Sequence, residues 1–148
     1  MIKTLQISEK EAWDLAFNAL VNNNTSEDNA KEVADALISA EFDGQAGHGL
    51  SRIPSYVEQL TAGKVKGTEA PSILSSKGSV IRVDAKNGFA YPAISLALKE
   101  ITTACKKFGI AAASITRSHH FGQAGRHVEI LADNGLIGLM FGNTPKAI

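Results

Sequence analysis

The chain has 148 residues, 44% hydrophobic and 20% charged, a composition typical of a folded globular protein and unlike that of disordered or fibrous chains. Lysine plus arginine and aspartate plus glutamate both total 15, so no overall charge favours nucleic acid or an anionic membrane as a partner. Cys105 is the single cysteine, no leader pattern opens the sequence and no apolar run approaches the ~20 residues of a membrane span, so we expect a cytoplasmic protein with no membrane role.

Two helices are predicted within the first 42 residues. Ser8 and Glu11 form a capping-box pattern, so a helix should begin there and continue to the asparagine run at 22–24. A second helix is predicted from about Ser26 to Phe42, because alanine, valine, leucine and isoleucine recur along one of its faces. We expect the two helices to lie antiparallel.

A glycine-rich turn at 43–49 precedes a short third helix, whose predicted apolar face includes Tyr56 and which ends at Gly63. Beyond it the pattern alternates between strand and helix, which is typical of layered α/β packing. The predicted elements are strand Ser79–Asp84, helix Pro92–Phe108, strand Ile110–Thr116, helix Ala124–Asn134 and strand Leu136–Gly142.

The segment 47–52, Gly-His-Gly-Leu-Ser-Arg, carries a first candidate site. His48 and Arg52 are four residues apart and project from nearly the same side if the helix begins near Leu50. A guanidinium can bind a carboxylate through two parallel hydrogen bonds, and an imidazole can exchange a proton with a neighbouring carbonyl oxygen. The pair therefore suits a 2-oxoacid. The spacing by itself favours an ordinary role, in which His48 caps the helix and Arg52 is solvated.

The segment 118–125, Ser-His-His-Phe-Gly-Gln-Ala-Gly, lies between a predicted strand and a predicted helix. Glycines allow a ligand to approach the backbone, and the free N–H groups at the start of a helix favour a phosphate. As a glycine pattern this is weak, because a loop with two histidines is more often simply polar and hydrogen-bonded.

Several familiar motifs are absent. Gly44, Gly47 and Gly49 are spaced in the reverse of the dinucleotide fingerprint and follow a helix instead of a strand, which excludes a Rossmann assignment. The four histidines and Cys105 match no zinc spacing, so we expect no metal, and His127 is predicted to lie on a helix surface.

Taken together, these segments resemble the malate/L-lactate dehydrogenase family, which also includes ureidoglycolate and sulfolactate dehydrogenases and cyclic imino-acid reductases. The resemblance begins in the helical N-terminus and continues through the motifs at 47–57, 63–65, 118–125 and 143–145. Several motifs in one order are far more specific than any one of them, so the ordinary interpretations of His48, Arg52 and His120 become the weaker ones.

The resemblance implies a role for each matching position. His48 is implied as the catalytic acid/base and Arg52 as the carboxylate-binding residue, while Thr144 falls where the family contacts substrate or cofactor. The residues implied to surround NAD or NADP are His120, Phe121, Gly122, Gln123 and Ala124, of which His120 is also implied in catalysis. Gly47 departs from the family pattern, because many members carry a serine there as a relay partner of the histidine.

The family fold is α/β but not Rossmann. It implies a helical substrate-side domain at 1–72, followed at 73–148 by the first part of an NAD(P)-binding domain around a mixed sheet. Members are homodimers and considerably longer than this chain, so we expect it to be the N-terminal part of such an enzyme. Two alternatives stay open: an inert fragment or oligomerisation module, and a phosphate-ligand binding protein that uses only the 120–125 loop.

Overall fold

The computed structural model describes residues 6–143. Within that range no helix is both long and apolar enough to cross a lipid bilayer. The helices and strands, in chain order, are α1 Glu9–Val21, α2 Glu27–Phe42, α3 Ile53–Thr61, β1 Ser72–Lys77, β2 Val80–Asp84, α4 Ala90–Phe108, β3 Ala112–Thr116 and α5 Ala124–Asp133. Two single turns of 3-10 helix, Ala46–His48 and Leu50–Arg52, connect α2 to α3.

The predicted capping box begins α1. The Ser8 hydroxyl accepts a hydrogen bond from the Glu11 N–H at 3.2 Å, and the Glu11 carboxylate accepts one from the Ser8 N–H at 2.7 Å. Helices α1 and α2 pack together over an apolar core that includes Leu20 and Leu37. Tyr56 of α3 lies in the same core, which brings α3 against the first two helices.

The sheet is small and mixed, with strand order β1-β2-β3. β1 and β2 form an antiparallel hairpin, whereas β2 and β3 are parallel and are joined through α4. One face of the sheet, centred on Ile81 and Val83, packs against Ala93 and Ala97 of α4. The predicted class, α/β with a helical N-terminal region before a mixed sheet, is confirmed.

An ion pair joins the carboxyl ends of the parallel strands. Arg117 follows β3 with a φ of 53°, and its Nε donates to the carboxylate of Asp84, at the end of β2, at 2.9 Å. The Asp84 backbone continues into Ala85, whose N–H donates to the Thr116 carbonyl at 3.0 Å. These contacts fix the point at which the 117–123 loop leaves the sheet.

One strand was not predicted from the sequence, and one predicted strand does not form. β1 was not predicted, because its sequence, Ser-Ile-Leu-Ser-Ser-Lys, is rich in serine and mostly exposed. The predicted strand Leu136–Gly142 is not a strand, since no strand pairs with it among the described residues. Its side chains still alternate: Leu136 and Met140 pack beneath α4 and α5, while Ile137, Leu139 and Phe141 are at least 80% exposed. Periodicity identified an extended segment, but a strand also requires a partner.

Candidate active site

The two histidines proposed for catalysis lie side by side. His48 ends the first 3-10 turn, and its N–H donates to the Gln45 carbonyl at 2.7 Å. The rings of His48 and His120 stack with centroids 5.4 Å apart and planes 11° from parallel. The Nδ1 atom of His48 is buried without a hydrogen-bond partner among the described residues. The structure therefore joins the two motifs that the sequence placed far apart.

Arg52 borders the same pair of rings. Its Nε donates to the Gly47 carbonyl, which ties the side chain back onto the turn that carries His48. Among residues 6–143 no carboxylate forms a salt bridge with it. Its positive charge adds to the lowering of the His120 pKa and partly offsets the rise that burial gives to the pKa values of Tyr56 and Tyr91, so the guanidinium lies near all three. Arg52 is half-buried.

A buried tyrosine hydroxyl forms a hydrogen bond with the ring of His120. Its Nδ1 lies 2.8 Å from the Tyr56 hydroxyl, which in turn lies 3.0 Å from the Tyr91 hydroxyl. Burial lowers the pKa of His120 to about 4, and the charges of Arg52 and His48 add to that shift. His120 is therefore neutral at physiological pH.

His119 points into the protein and not into the site. Its Nε2 lies 2.8 Å from the Gln59 side-chain oxygen, and its ring meets those of Tyr56 and Phe89 edge-on. The Gln59 amide donates to the Ser55 carbonyl and hydroxyl, so its oxygen must accept from His119. His119 anchors the loop to α3, a role that the sequence did not indicate.

The predicted cofactor segment forms one wall of an open cleft of about 750 Å³. The opposite wall is the 43–48 turn, and a hydrogen bond from the Gln123 amide to the Asp43 carboxylate joins the two walls. No side chain caps the start of α5, so its first N–H groups are free for a phosphate. The cleft is lined by Asp43, Gln45, His48, Phe121, Gly122, Gln123, Ala124, Gly125, Arg126 and Glu129. Within this lining, the uncapped N–H groups of α5 and the charge of Arg126 suit a phosphate, whereas Asp43 and Glu129 contribute negative charge.

His127 corrects a prediction. Expected on the helix surface, it is 3% exposed, and its Nε2 donates to the Phe121 carbonyl at 2.8 Å. It therefore supports the cofactor segment from below. The sequence contained a cue to this burial, because His127 lies four residues before Leu131 and therefore on the same face of the helix. In the structure both side chains are buried.

Gly47 and Thr144 are the remaining site positions to which the resemblance drew attention. A side chain at Gly47 would meet nothing within 4 Å, so the packing does not exclude the serine that the family resemblance implies at this position. Thr144 lies outside the described residues. Within residues 6–143, no three histidine, cysteine or carboxylate side chains come together as metal ligands.

The neutral histidines make stability depend on pH. In the unfolded chain histidine has a pKa near 6.5, whereas His119 and His120 have folded values of about 4. Between these values the unfolded state binds more protons, so the free energy of unfolding should rise as pH increases from about 4 to 6.5 and should gain nothing further from these groups above it. Urea unfolding across that range measures the slope. H119N should reduce the slope, and an unchanged slope in H119N would contradict the assignment.

Gly122 should tolerate no side chain. Its φ is +71°, and an added Cβ would lie 2.7 Å from the hydroxyl of Tyr91, which is almost fully buried. We expect G122A to lower the free energy of unfolding by about 1–3 kcal/mol. The matched control is G125A, at the second position of α5, where a Cβ meets nothing and should raise stability by up to about 1 kcal/mol. Equal effects on the urea midpoint would refute this account.

Comparison with known proteins agrees with the resemblance. A profile described as malate/L-lactate dehydrogenase matches residues 7–148. The chain is 44% identical over 142 residues to the (2R)-3-sulfolactate dehydrogenase (NADP(+)) of Chromohalobacter salexigens. It is 35% identical over 145 residues to the Delta(1)-pyrroline-2-carboxylate/Delta(1)-piperideine-2-carboxylate reductase of Pseudomonas syringae pv. tomato. The alignments cover 96% and 98% of this chain and 42% of each relative.

Solved structures share the fold. The delta1-piperideine-2-carboxylate reductase of Pseudomonas syringae matches with a TM-score of 0.84 at 35% identity, over 89% of this chain and 40% of that one. The malate dehydrogenase of Entamoeba histolytica matches with a TM-score of 0.84 at 28% identity, over 90% and 37%.

The fold is thus that of a class of dehydrogenases and reductases built around a mixed sheet. Within that class the chain belongs to the malate/L-lactate dehydrogenase family, as its motifs predicted. It spans about two fifths of the length of the relatives that it matches.

Proposed function

We propose that the protein transfers a hydride between NAD(P)H and a 2-oxoacid, such as a malate- or lactate-type substrate, or a related cyclic imine. The observation that carries the proposal is the parallel stack of His48 on His120 near Arg52, with His48 also lining the cleft at the start of α5. The site thus combines a proton-exchanging group, a carboxylate-binding group and a phosphate-binding corner.

Each side chain has one task in this reaction. Arg52, with no carboxylate of its own among the described residues, binds the substrate carboxylate and so orients the adjacent carbonyl. His48 donates its proton to the carbonyl oxygen, or to the imine nitrogen, as the carbon accepts a hydride. When bound, the nicotinamide supplies that hydride. In the reverse direction His48 takes the proton from the hydroxyl group.

The cofactor phosphates would be held by the start of α5. The first N–H groups of α5 are uncapped, and Gly125 in its first turn leaves open space beside the backbone. The segment His120 to Ala124 would surround the cofactor, with His120 between cofactor and substrate. NAD and NADP both fit this arrangement.

The relatives support the same chemistry. A sulfolactate dehydrogenase and a pyrroline/piperideine carboxylate reductase both act, by their names, on molecules with a carboxylate. That shared group matches the role given to Arg52. We extend the proposal to a substrate-side domain at 1–72 and a cofactor part at 73–148, with Thr144 touching the ligand, in a cytoplasmic homodimer. The family resemblance supports the dimer, and the lone Cys105 fits a reducing compartment.

Cofactor titration tests the proposal. NADH and NADPH are added to the full-length protein while nicotinamide fluorescence is followed, and pyruvate, oxaloacetate and a cyclic imine acid are then offered in turn. We expect saturable binding of at least one cofactor and its oxidation by at least one acid. A folded, full-length protein that binds neither cofactor would refute the function and favour the inert module. Light scattering at several concentrations separately tests the dimer.

A further inference from the structure

A line of three polar groups lies beneath the candidate site. The Tyr91 hydroxyl lies 3.0 Å from the Tyr56 hydroxyl, which lies 2.8 Å from Nδ1 of His120. Tyr56 is 1% exposed and Tyr91 is 2% exposed, so both hydroxyls are shielded from bulk solvent. Tyr56 follows Arg52 by one helical turn, and Tyr91 lies in the first turn of α4. The line therefore connects the substrate-side helix, the sheet-side helix and the cofactor segment.

Counting protons fixes the direction of these hydrogen bonds. Each hydroxyl has one proton to donate, and among the described residues neither contacts any further polar group. If Nδ1 of His120 carried a proton and donated it to Tyr56, one of the two hydroxyl protons would be left without an acceptor. Only the order Tyr91 to Tyr56 to His120 uses both. A buried donor without an acceptor is costly, so this order is favoured.

We infer that Tyr56, backed by Tyr91, holds His120 as the tautomer whose proton is on Nε2, so that His120 presents a hydrogen-bond donor to the bound ligand. Tyr56 is thus a positioning residue, because it acts through His120. The catalytic meaning of this inference depends on the proposed function, whereas the tautomer itself does not.

The electrostatics agree with the geometry. Burial raises the pKa of Tyr56 above its ordinary value, so its hydroxyl keeps the proton that it donates. The pKa of His120 is lowered to about 4, so its Nδ1 keeps a lone pair at neutral pH. The two stacked histidines then differ in role. His120 offers a fixed N–H to an oxygen of substrate or cofactor, and His48 is left to exchange the proton.

Nitrogen NMR tests the tautomer directly. Long-range ¹H–¹⁵N correlation spectra of the ¹⁵N-histidine-labelled full-length protein at neutral pH separate protonated from unprotonated ring nitrogens. Loss of a signal in H120N assigns His120. We expect Nε2 of His120 to be protonated and Nδ1 to be unprotonated. A protonated Nδ1 in the wild-type protein overturns the inference.

Three variants isolate the hydroxyl that matters. Y56F should convert the single-tautomer pattern of His120 into a mixture. The matched change Y91F removes a hydroxyl one step further away, leaves Tyr56 donating, and should keep the Nε2–H tautomer. Y56F/Y91F leaves no orphaned hydroxyl, so it repeats the Y56F test if the single variant folds poorly. An unshifted His120 in both Y56F proteins refutes the inference. If the protein shows the predicted tautomer but has no dehydrogenase activity, the proposed function is refuted and this inference is still supported.

Discussion

Replacing Arg52 with glutamine is expected to lower kcat/KM for a 2-oxoacid by roughly 30- to 5,000-fold. The range corresponds to the ~2–5 kcal/mol lost when one partner of a hydrogen-bonded charge pair is removed. Among the described residues the guanidinium has no competing carboxylate, so the substitution should weaken only the interaction with the substrate carboxylate. Steady-state kinetics with pyruvate or oxaloacetate, at a saturating cofactor concentration, measures the change.

The controls for Arg52 separate geometry from charge. R52K keeps the charge but loses the planar fork, so its activity should be intermediate. R82Q removes an exposed arginine on β2, outside the candidate site, and should leave kcat/KM unchanged. A methyl ester of the substrate lacks the charged carboxylate, so it should be a poor substrate of both the wild type and R52Q. An R52Q protein that still prefers the acid over the ester would contradict the assignment.

Features that depend on neighbouring residues were predicted well from the sequence. The capping box at Ser8 is local chemistry, and so is the end of α4 at Gly109, whose φ is +81°. Amphipathic periodicity located α1, α2, α4 and α5 to within a few residues. A helix that buries one face carries apolar residues at helical spacing, and this spacing is visible in the sequence.

Features that depend on pairing across the chain were not predicted. β1 is serine-rich and forms because a two-residue turn at Gly78, with φ +61°, folds it back onto β2. The 136–142 segment has the alternation of a strand, yet its backbone has no strand beside it among the described residues. Propensity describes one segment, whereas a strand is a property of two.

In the candidate site, too, local features were predicted from the sequence and features that depend on distant residues were not. The spacing of His48 and Arg52 was sufficient to propose a carboxylate and proton site, because both lie within one short segment. The stack of His48 on His120 arises only when the turn after α2 and the 117–123 loop fold together. Tyr56 was predicted as part of an apolar helix face, which its burial bears out, but hydrophobic pattern carries no information about where its hydroxyl goes.

Replacing His48 with glutamine is expected to lower kcat by roughly 10²- to 10⁴-fold, the range that a positioned acid or base contributes. The amide has a donor but no proton to give, so protonation of the carbonyl oxygen becomes the slow step. The affinity for NAD(P)H should change little, because the phosphate-binding corner at α5 is built from other residues. Single-turnover measurements with cofactor deuterated at the transferred position should show that hydride transfer limits the rate more strongly in H48Q than in the wild type.

Chemical rescue provides the matched test for His48. H48A opens the space that the ring occupied against His120, and added imidazole should enter it and restore part of the lost rate. The same imidazole should not restore R52Q, since the missing group there is the carboxylate clamp. H48A and H48Q proteins that bind cofactor normally and turn over at the wild-type rate would transfer the acid/base role away from His48. The other ring in the stack, His120, would then have to exchange the proton despite its lowered pKa.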